Sequence, residues 1–403
     1  MATGDYVLLI IDPQNDFHED GKLAVIGTSK YGIGGEGGIK DSEKIIDLIN
    51  KRRPAAVYVS LDTHTPTHIG HQQFWQPEGN PAGEGPLPGS SFIVVVDHDG
   101  TEKVAVSVQG QIFFYEPRST GNTKTDEELK LWVIKYVKTL TSGAKFSPCI
   151  WPNHCLESSD GHKVYPKLKT ALDKLKDEGV TVEYHIKGQN EATEMYSIFK
   201  AELPVEKNAP QSLQKLYRGK YIDKIDDNSK ILVDKSDEED HANVKTDFND
   251  GLYSSLVKHG FPIVICGEAL SHCVKWSTLD LVSKKLEKKN GLPVYLLENA
   301  SSVVNLSTID KQDDIFVKST IKFKNESIDN GVVWTTTDDF LKLPIHTQYL
   351  IGTQSSLIRK KETLDEQENR KKTMNLYGRT TFGGRTKKRN NRRTKKHHRK
   401  SRR

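Results

Sequence analysis

Cysteine is scarce in this chain, with four residues in 403. So few in so long a sequence exclude a disulfide framework of the kind that staples small secreted domains. Cys149, Cys155 and Cys266 read as buried or free thiols. The setting they imply is reducing and intracellular, cytoplasmic or nuclear and not secreted. Long apolar runs are also missing, and none approaches the roughly 20 residues that a membrane helix needs. The chain runs straight into a strand pattern, so no signal peptide is expected. Acids are missing from its end: residues 385–403 hold twelve Lys or Arg and no Asp or Glu. Of the net charge of +5 the remainder therefore carries −7, a mildly acidic body with a strongly basic tail. What is present, 35% hydrophobic and 28% charged residues, is enough for a sizeable core in one large domain or two smaller ones.

Apolar strand patterns fall at 6–12, 55–61, 181–187, 261–267 and 293–298, several of them unbroken Val/Ile/Leu runs. Such runs suit parallel strands buried on both faces. Helical patterns lie between them at Asp41–Lys51, Tyr165–Glu178, Asp250–His259 and Lys275–Lys288. Alternation of this kind predicts an α/β fold, a doubly wound, mostly parallel sheet with helices on both faces. The predicted domain covers 1–357, with insertions at about 76–145 and 201–245. The first insertion reads as a Gly/Pro-rich loop (Pro77–Ser90), a hairpin (Ser91–Glu116) and a helix (Thr125–Leu140). Residues 304–357 mix short strands with a helix that would close the edge of the domain. From 358 to 403 the chain is basic, poor in apolar residues and expected to be disordered.

In doubly wound sheets ligands bind beyond the C-terminal ends of the strands. Asp12, Asp62, Lys187 and Cys273 all fall at such ends. In Leu61-Asp62-Thr63-His64 a carboxylate and an imidazole two residues apart can point the same way from an extended segment, and His68 follows. Mixed His/Asp sets suit zinc, iron or manganese, although a solvated loop would look the same. Trp151-Pro152-Asn153-His154-Cys155 offers a further histidine beside an aromatic wall, or simply a turn with a buried Trp. Cys273 is by itself a small buried hydrophobe or a nucleophile. A thiol is mostly protonated at neutral pH, so a nucleophilic role needs a base and a cation, for which Asp12 and Lys187 are the candidates. The turn Gly267–Val274 could hold an oxyanion on backbone N–H groups.

Together these segments resemble the nicotinamidase branch of the isochorismatase-like cysteine hydrolases, over about residues 5–75, 146–200 and 247–300. Asp12-Pro13-Gln14-Asn15-Asp16-Phe17 is similar to that family's opening motif, and Asp62-Thr63-His64 with His68 to its metal motif. Trp151 to Cys155, Lys187-Gly188 with Tyr196-Ser197-Ile198-Phe199, and Gly267 to Cys273 follow in the same order. The resemblance implies a metal-assisted amidohydrolase that converts nicotinamide to nicotinate and ammonia through a thioester on Cys273, as in NAD salvage. Asp12 would be the general base and Lys187 its charge partner. The N–H groups of Ala269 and Cys273 would hold the oxyanion, and Glu268–Ala269 would be a cis peptide. Asp62, His64 and His154, with His68 as a candidate fourth ligand, would bind one divalent metal ion, zinc first and iron or manganese as alternatives. That metal would orient a pyridine ring in a pocket lined by Phe17, Trp151 and Tyr196. Isochorismatase-type members do without the metal motif, so its presence favours a pyridine carboxamide. Two departures bear on the substrate: Leu270-Ser271 stands where many relatives carry Thr-Asp, and Leu156–Gly161 replaces a Gly-rich stretch.

The tail at 385–403 has no aromatic after Phe382 to stack on bases. A polycation of this kind contacts phosphate backbones or serves nuclear import, or has no dedicated partner. The expected partners are thus a small amide substrate and a nucleic-acid or nuclear-import contact through the tail, with no membrane and with self-association left open. Two other readings stand beside the first: a related cysteine hydrolase acting on another amide, and a non-catalytic binding protein that uses the tail on nucleic acid.

Overall fold

The computed structural model describes residues 4–143, 146–214, 216, 246–304 and 315–344, and the backbone of 224–225 and 231–232. The basic tail, the boundary at 357 and much of the insertion at 201–245 lie outside the described residues.

Six strands carry the molecule: β1 (Val7–Ile11), β2 (Ala56–Asp62), β7 (Thr181–Lys187), β8 (Ile263–Gly267), β9 (Val294–Leu297) and β10 (Val332–Thr335). They hydrogen-bond in the order β10-β9-β8-β1-β2-β7, and every pairing is parallel. All five residues of β1, Val-Leu-Leu-Ile-Ile, are buried, because helices cover both faces of the sheet. On one face Val7, Leu9 and Ile11 pack with α4 (Asp250–Val257), α5 (Cys273–Glu287) and α6 (Ile315–Asp329). On the other, Leu8 and Ile10 pack with α1 (Gly38–Lys51), α3 (Pro166–Asp177) and α7 (Thr337–Leu341). The alternation of β1 side chains between two cores is the period-2 pleat at work. At about 1.5–3 kcal/mol for each fully buried Val, Leu or Ile side chain, this strand anchors both layers. The predicted doubly wound sheet is the one observed.

Chain order reverses beside β1: β2 and β7 lie to one side, β8 to β10 to the other. The crevice thus opens between the C-terminal ends of β1 and β8. Gly267 ends β8 with φ +107, and a Cβ there would lie 2.1 Å from the Ile11 carbonyl oxygen, so glycine alone lets β8 run this close to β1. The Glu268–Ala269 peptide that follows is cis, as the resemblance implied.

The first insertion departs from the predicted hairpin. It is a four-stranded antiparallel sheet of β3 (Trp75–Pro77), β4 (Phe92–Val96), β5 (Glu102–Val108) and β6 (Gln111–Pro117), in the order β3-β6-β5-β4. Gln109 and Gly110 turn the chain between β5 and β6 with φ of 50° and 84°, the positive values of a tight two-residue hairpin. Helix α2 (Thr123–Ser142), capped by Asn122, buries Leu129, Trp132, Val133 and Tyr136 against Phe92, Val104 and Val106. Strand β10 falls in a region read only as mixed. It is four residues long at the sheet edge, with one fully buried position, too short and too exposed for a periodic signal. Among the described residues no helix is long and apolar enough to cross a membrane.

Candidate active site and metal centre

Four strand ends deliver four side chains to one point. Asp12 follows β1, Asp62 ends β2, Lys187 ends β7, and Cys273 opens α5 beyond β8. Lys187 Nζ lies 2.9 Å from Asp12 Oδ2, 2.9 Å from Asp62 Oδ1, 3.0 Å from the Met195 carbonyl and 3.7 Å from Cys273 Sγ. Asp12 is fully buried, Lys187 is 2% exposed and Cys273 5%. A charge in such a place persists only when paired. Burial opposes the lysine's charge, yet Asp12, Asp62 and Cys273 together hold its pKa well above the ordinary value. Burial raises the pKa of Asp12 against the pull of Lys187, which makes it a stronger base. Burial also pushes the Cys273 thiol well above its usual range, with Lys187 opposing. The resting group is therefore a thiol beside a base and an ammonium.

Asp12 is itself fixed in place. Its backbone has φ 42, a left-handed conformation that costs a non-glycine residue on the order of 1 kcal/mol and recurs at functional sites. Its N–H donates to Ser60 Oγ at 2.9 Å, and the Ser60 hydroxyl donates to Asp12 Oδ1 at 2.6 Å. Oδ2 is left facing Lys187.

On the far side of Lys187 stands a second cluster. Asp62, His64 and His154 place one potential ligand atom each within 4.8 Å of one another. His64 Nε2 is 3.0 Å and His154 Nε2 3.5 Å from Asp62 Oδ2. Each histidine has its Nδ1 against a backbone carbonyl, Gly188 at 2.9 Å and Pro152 at 2.8 Å. That bond orients each ring, so that an imidazole with its proton on Nδ1 would present Nε2 to a metal ion, as metal-binding histidines require. Burial raises the pKa of Asp62, but His64 and Lys187 bring it well below the carboxylate range. Gly188 has φ +80, and a Cβ there would be 2.7 Å from both Asp62 Oδ1 and His64 Cε1. A side chain at 188 would therefore collide with the ligand pair. A buried carboxylate with two oriented imidazoles fits a divalent ion such as zinc.

His68 belongs to a neighbouring group, with His64 and Glu194. Its Nε2 meets the Thr193 carbonyl at 3.1 Å, and its Nδ1 accepts from the Gly70 N–H at 3.2 Å. Glu194 is buried and was not singled out in the sequence, although it lies two residues before Tyr196 of the quoted motif. His71 was likewise passed over. Its Nδ1 meets the Thr65 carbonyl at 3.0 Å and its Nε2 meets His154 at 3.3 Å.

Above Cys273 a cavity encloses about 290 Å³ of non-atom space, part of it open solvent. Phe17, Trp151 and Tyr196 line it together with Leu23, His272 and Val304, and so do Asp62, His154, Glu194, Ala269 and Cys273. Trp151 Nε1 donates to Tyr196 Oη at 3.1 Å, and Phe17 meets His154 edge-on at 5.7 Å. His272 is buried, with its pKa lowered to about 3 by burial and by Lys275, and its Nε2 has no hydrogen-bond partner among the described residues. Its place beside Cys273 in sequence was the available signal. The N–H groups of Ala269 and Cys273 donate to no backbone carbonyl among the described residues.

No family model matches the chain, and no curated protein matches it. Among solved structures it is similar to an Acinetobacter baumanii nicotinamidase and pyrazinamidase, at 16% identity and TM-score 0.42 over 84% of this chain and 100% of that one. It is also similar to a yeast nicotinamidase bound to the inhibitor nicotinaldehyde, at 15% identity and TM-score 0.43 over 82% and 99%. A third is a Pyrococcus horikoshii pyrazinamidase in complex with zinc, at 14% identity and TM-score 0.36 over 82% and 99%.

Proposed function

We propose that the protein is a metal-assisted cysteine amidohydrolase that converts nicotinamide to nicotinate and ammonia. One observation carries the reading. A single buried ammonium, Lys187, touches the candidate base, the candidate nucleophile and a carboxylate of the candidate metal group.

Asp12 takes the proton of Cys273 as Sγ attacks the carboxamide carbon, and Lys187 holds the charge that develops on sulfur. The carbonyl oxygen, now an oxyanion, sits on the N–H groups of Ala269 and Cys273. The C–N bond breaks, Asp12 returns the proton to the departing nitrogen, and ammonia leaves a thioester on Sγ. Water then adds to the thioester carbon as Asp12 takes its proton, the C–S bond breaks, the departing thiolate takes that proton back from Asp12, and the nicotinic acid released ionises to nicotinate. A divalent ion held by Asp62, His64 and His154 would supply a Lewis acid for the pyridine nitrogen. Phe17, Trp151 and Tyr196 hold the ring.

A second reading has its own support. The unpartnered Nε2 of His272 adds a polar contact to the cavity wall, which favours an amide with a further polar substituent. The test is ammonia release from nicotinamide and a panel of substituted aryl amides, with and without a chelator. Wild type should release ammonia, and Cys273→Ala should lose at least about a thousandfold in rate, as expected when a nucleophile is removed. Activity surviving in Cys273→Ala sinks the mechanism. Turnover confined to a substituted amide moves the substrate to the second reading.

A further inference from the structure

Two acids outside the site just described meet behind the Glu268–Ala269 peptide. Asp41, in the first turn of α1, is fully buried, and Glu268 is 2% exposed. Their carboxyls lie against each other, and that of Asp41 also lies against the Ser302 side chain. The Ser302 hydroxyl and the Glu36 N–H also lie against the Asp41 carboxyl, though neither forms a well-aligned hydrogen bond with it. Asp41 Oδ1 occupies the place where a side chain at Gly35 would go, 1.8 Å from an ideal Cβ. Ser302 ties the arrangement to the loop: its N–H donates to Glu268 Oε2 at 3.1 Å, and its carbonyl accepts the Leu270 N–H at 2.7 Å. Ala269 is thus bracketed by two bonds to one residue. Ser302 Oγ in turn accepts the Gly37 N–H at 3.0 Å, at the start of α1.

The strongest electrostatic neighbours of the pair are Glu19 and the Cys266 thiol of β8, and no cation stands among them. His18, packed on α1 through Ser42, is held toward its neutral form by burial. Two buried carboxylates side by side with no cation cannot both ionise. A single proton shared between them removes one of the two charges and bonds the carboxyls to each other.

We propose that Asp41 and Glu268 are a proton-sharing positioning pair that, through Ser302, sets the place of the Ala269 N–H. Loss of the shared proton at alkaline pH leaves two like charges behind the loop, displaces the Ala269 donor and slows turnover. The catalytic part of this rests on the oxyanion role proposed for Ala269; the pair itself does not.

The pair also leaves a mark on stability. A carboxyl with a raised folded-state pKa keeps its proton in the fold after the unfolded chain has lost it. Its stabilisation is complete below the unfolded value and is lost as pH rises through the folded one. Burial raises Asp41 from 3.8 to about 7, so the loss spans that interval and continues as Glu268, raised well above the carboxylate range by burial and by Asp41, ionises.

The experiment compares wild type, Asp41→Asn and Glu268→Gln, both near-isosteric, in urea unfolding and in kcat and KM for nicotinamide across pH. The amide of either variant donates permanently to the remaining carboxylate. Wild-type stability should fall with rising pH, both variants should remove more than half of that slope, and the alkaline limb of kcat should move to higher pH with KM unchanged within about twofold. Equal slopes and equal alkaline limbs in all three proteins overturn the proposal. A slope that the substitutions flatten, in a protein that does not turn over nicotinamide, supports the pair and overturns the substrate reading instead.

Discussion

At position 187 the chain buries an ammonium, and the arrangement survives because two carboxylates meet it at 2.9 Å each. Removing one partner of a buried ion pair leaves uncompensated charge and costs about 3–5 kcal/mol. Lys187→Met should therefore lose at least that much in urea unfolding at neutral pH, because it strands two acids. A loss below about 1 kcal/mol, the scale of exposed pairs, would show that Asp12 and Asp62 are not both ionised beside it. Asp12, Lys187 and Cys273 were legible because each sits at the end of an apolar strand in a spaced motif. Ser60, which donates to the Asp12 carboxylate, and Glu194, which shares a group with His64 and His68, were not. Neither residue type is unusual where it stands in sequence, and only the packing of β2 against β1, or of 188–199 against 62–71, gives it a partner.

The inserted sheet and α2 answer a question that lay beyond the sequence, namely what residues 76–145 do for the site. Trp132 Nε1 of α2 donates to the Ala192 carbonyl at 2.7 Å, and the Glu194 N–H donates to Tyr136 Oη at 3.2 Å. The insertion thus fixes the segment that carries Glu194 beside the candidate metal ligands. Tyr136→Phe leaves that N–H unpaired in the interior at a cost of about 1–3 kcal/mol. It should also weaken zinc binding by about tenfold, as loss of an outer hydrogen bond does. Competition with a zinc-binding dye reads the affinity, and an unchanged value would confine the insertion to a structural role. The helix was legible as a helix, and the continuous strands as strands. Trp75–Pro77 was not, because three residues ending in proline become a strand only when Tyr115–Pro117 lies beside them.

For the whole molecule the informative quantity is the division of charge, −7 before residue 385 and twelve cations after it. Every described group of the candidate site lies between Asp12 and Cys273. If the proposed activity is present, a chain ending at Arg359 should therefore retain its rate on nicotinamide within about twofold, and if the tail contacts phosphate backbones, only the full chain should show salt-sensitive binding to duplex DNA. Equal DNA binding by both chains removes the tail from that role. Chelation with o-phenanthroline should lower both activity and the unfolding midpoint, because an ion that binds only the native state stabilises it by mass action. A midpoint unmoved by chelator and by added zinc would argue against a metal at Asp62, His64 and His154. By itself the sequence determined the parallel α/β layering, since unbroken apolar runs can be buried only between two helix layers, and it determined which residues reach the strand ends. The tertiary structure decided what those residues meet there. It set Lys187 between Asp12 and Asp62, it turned His64 by the distant Gly188 carbonyl, and it pressed Asp41 against Glu268. Those pairings depend on distances between segments up to 227 residues apart, which no local pattern encodes.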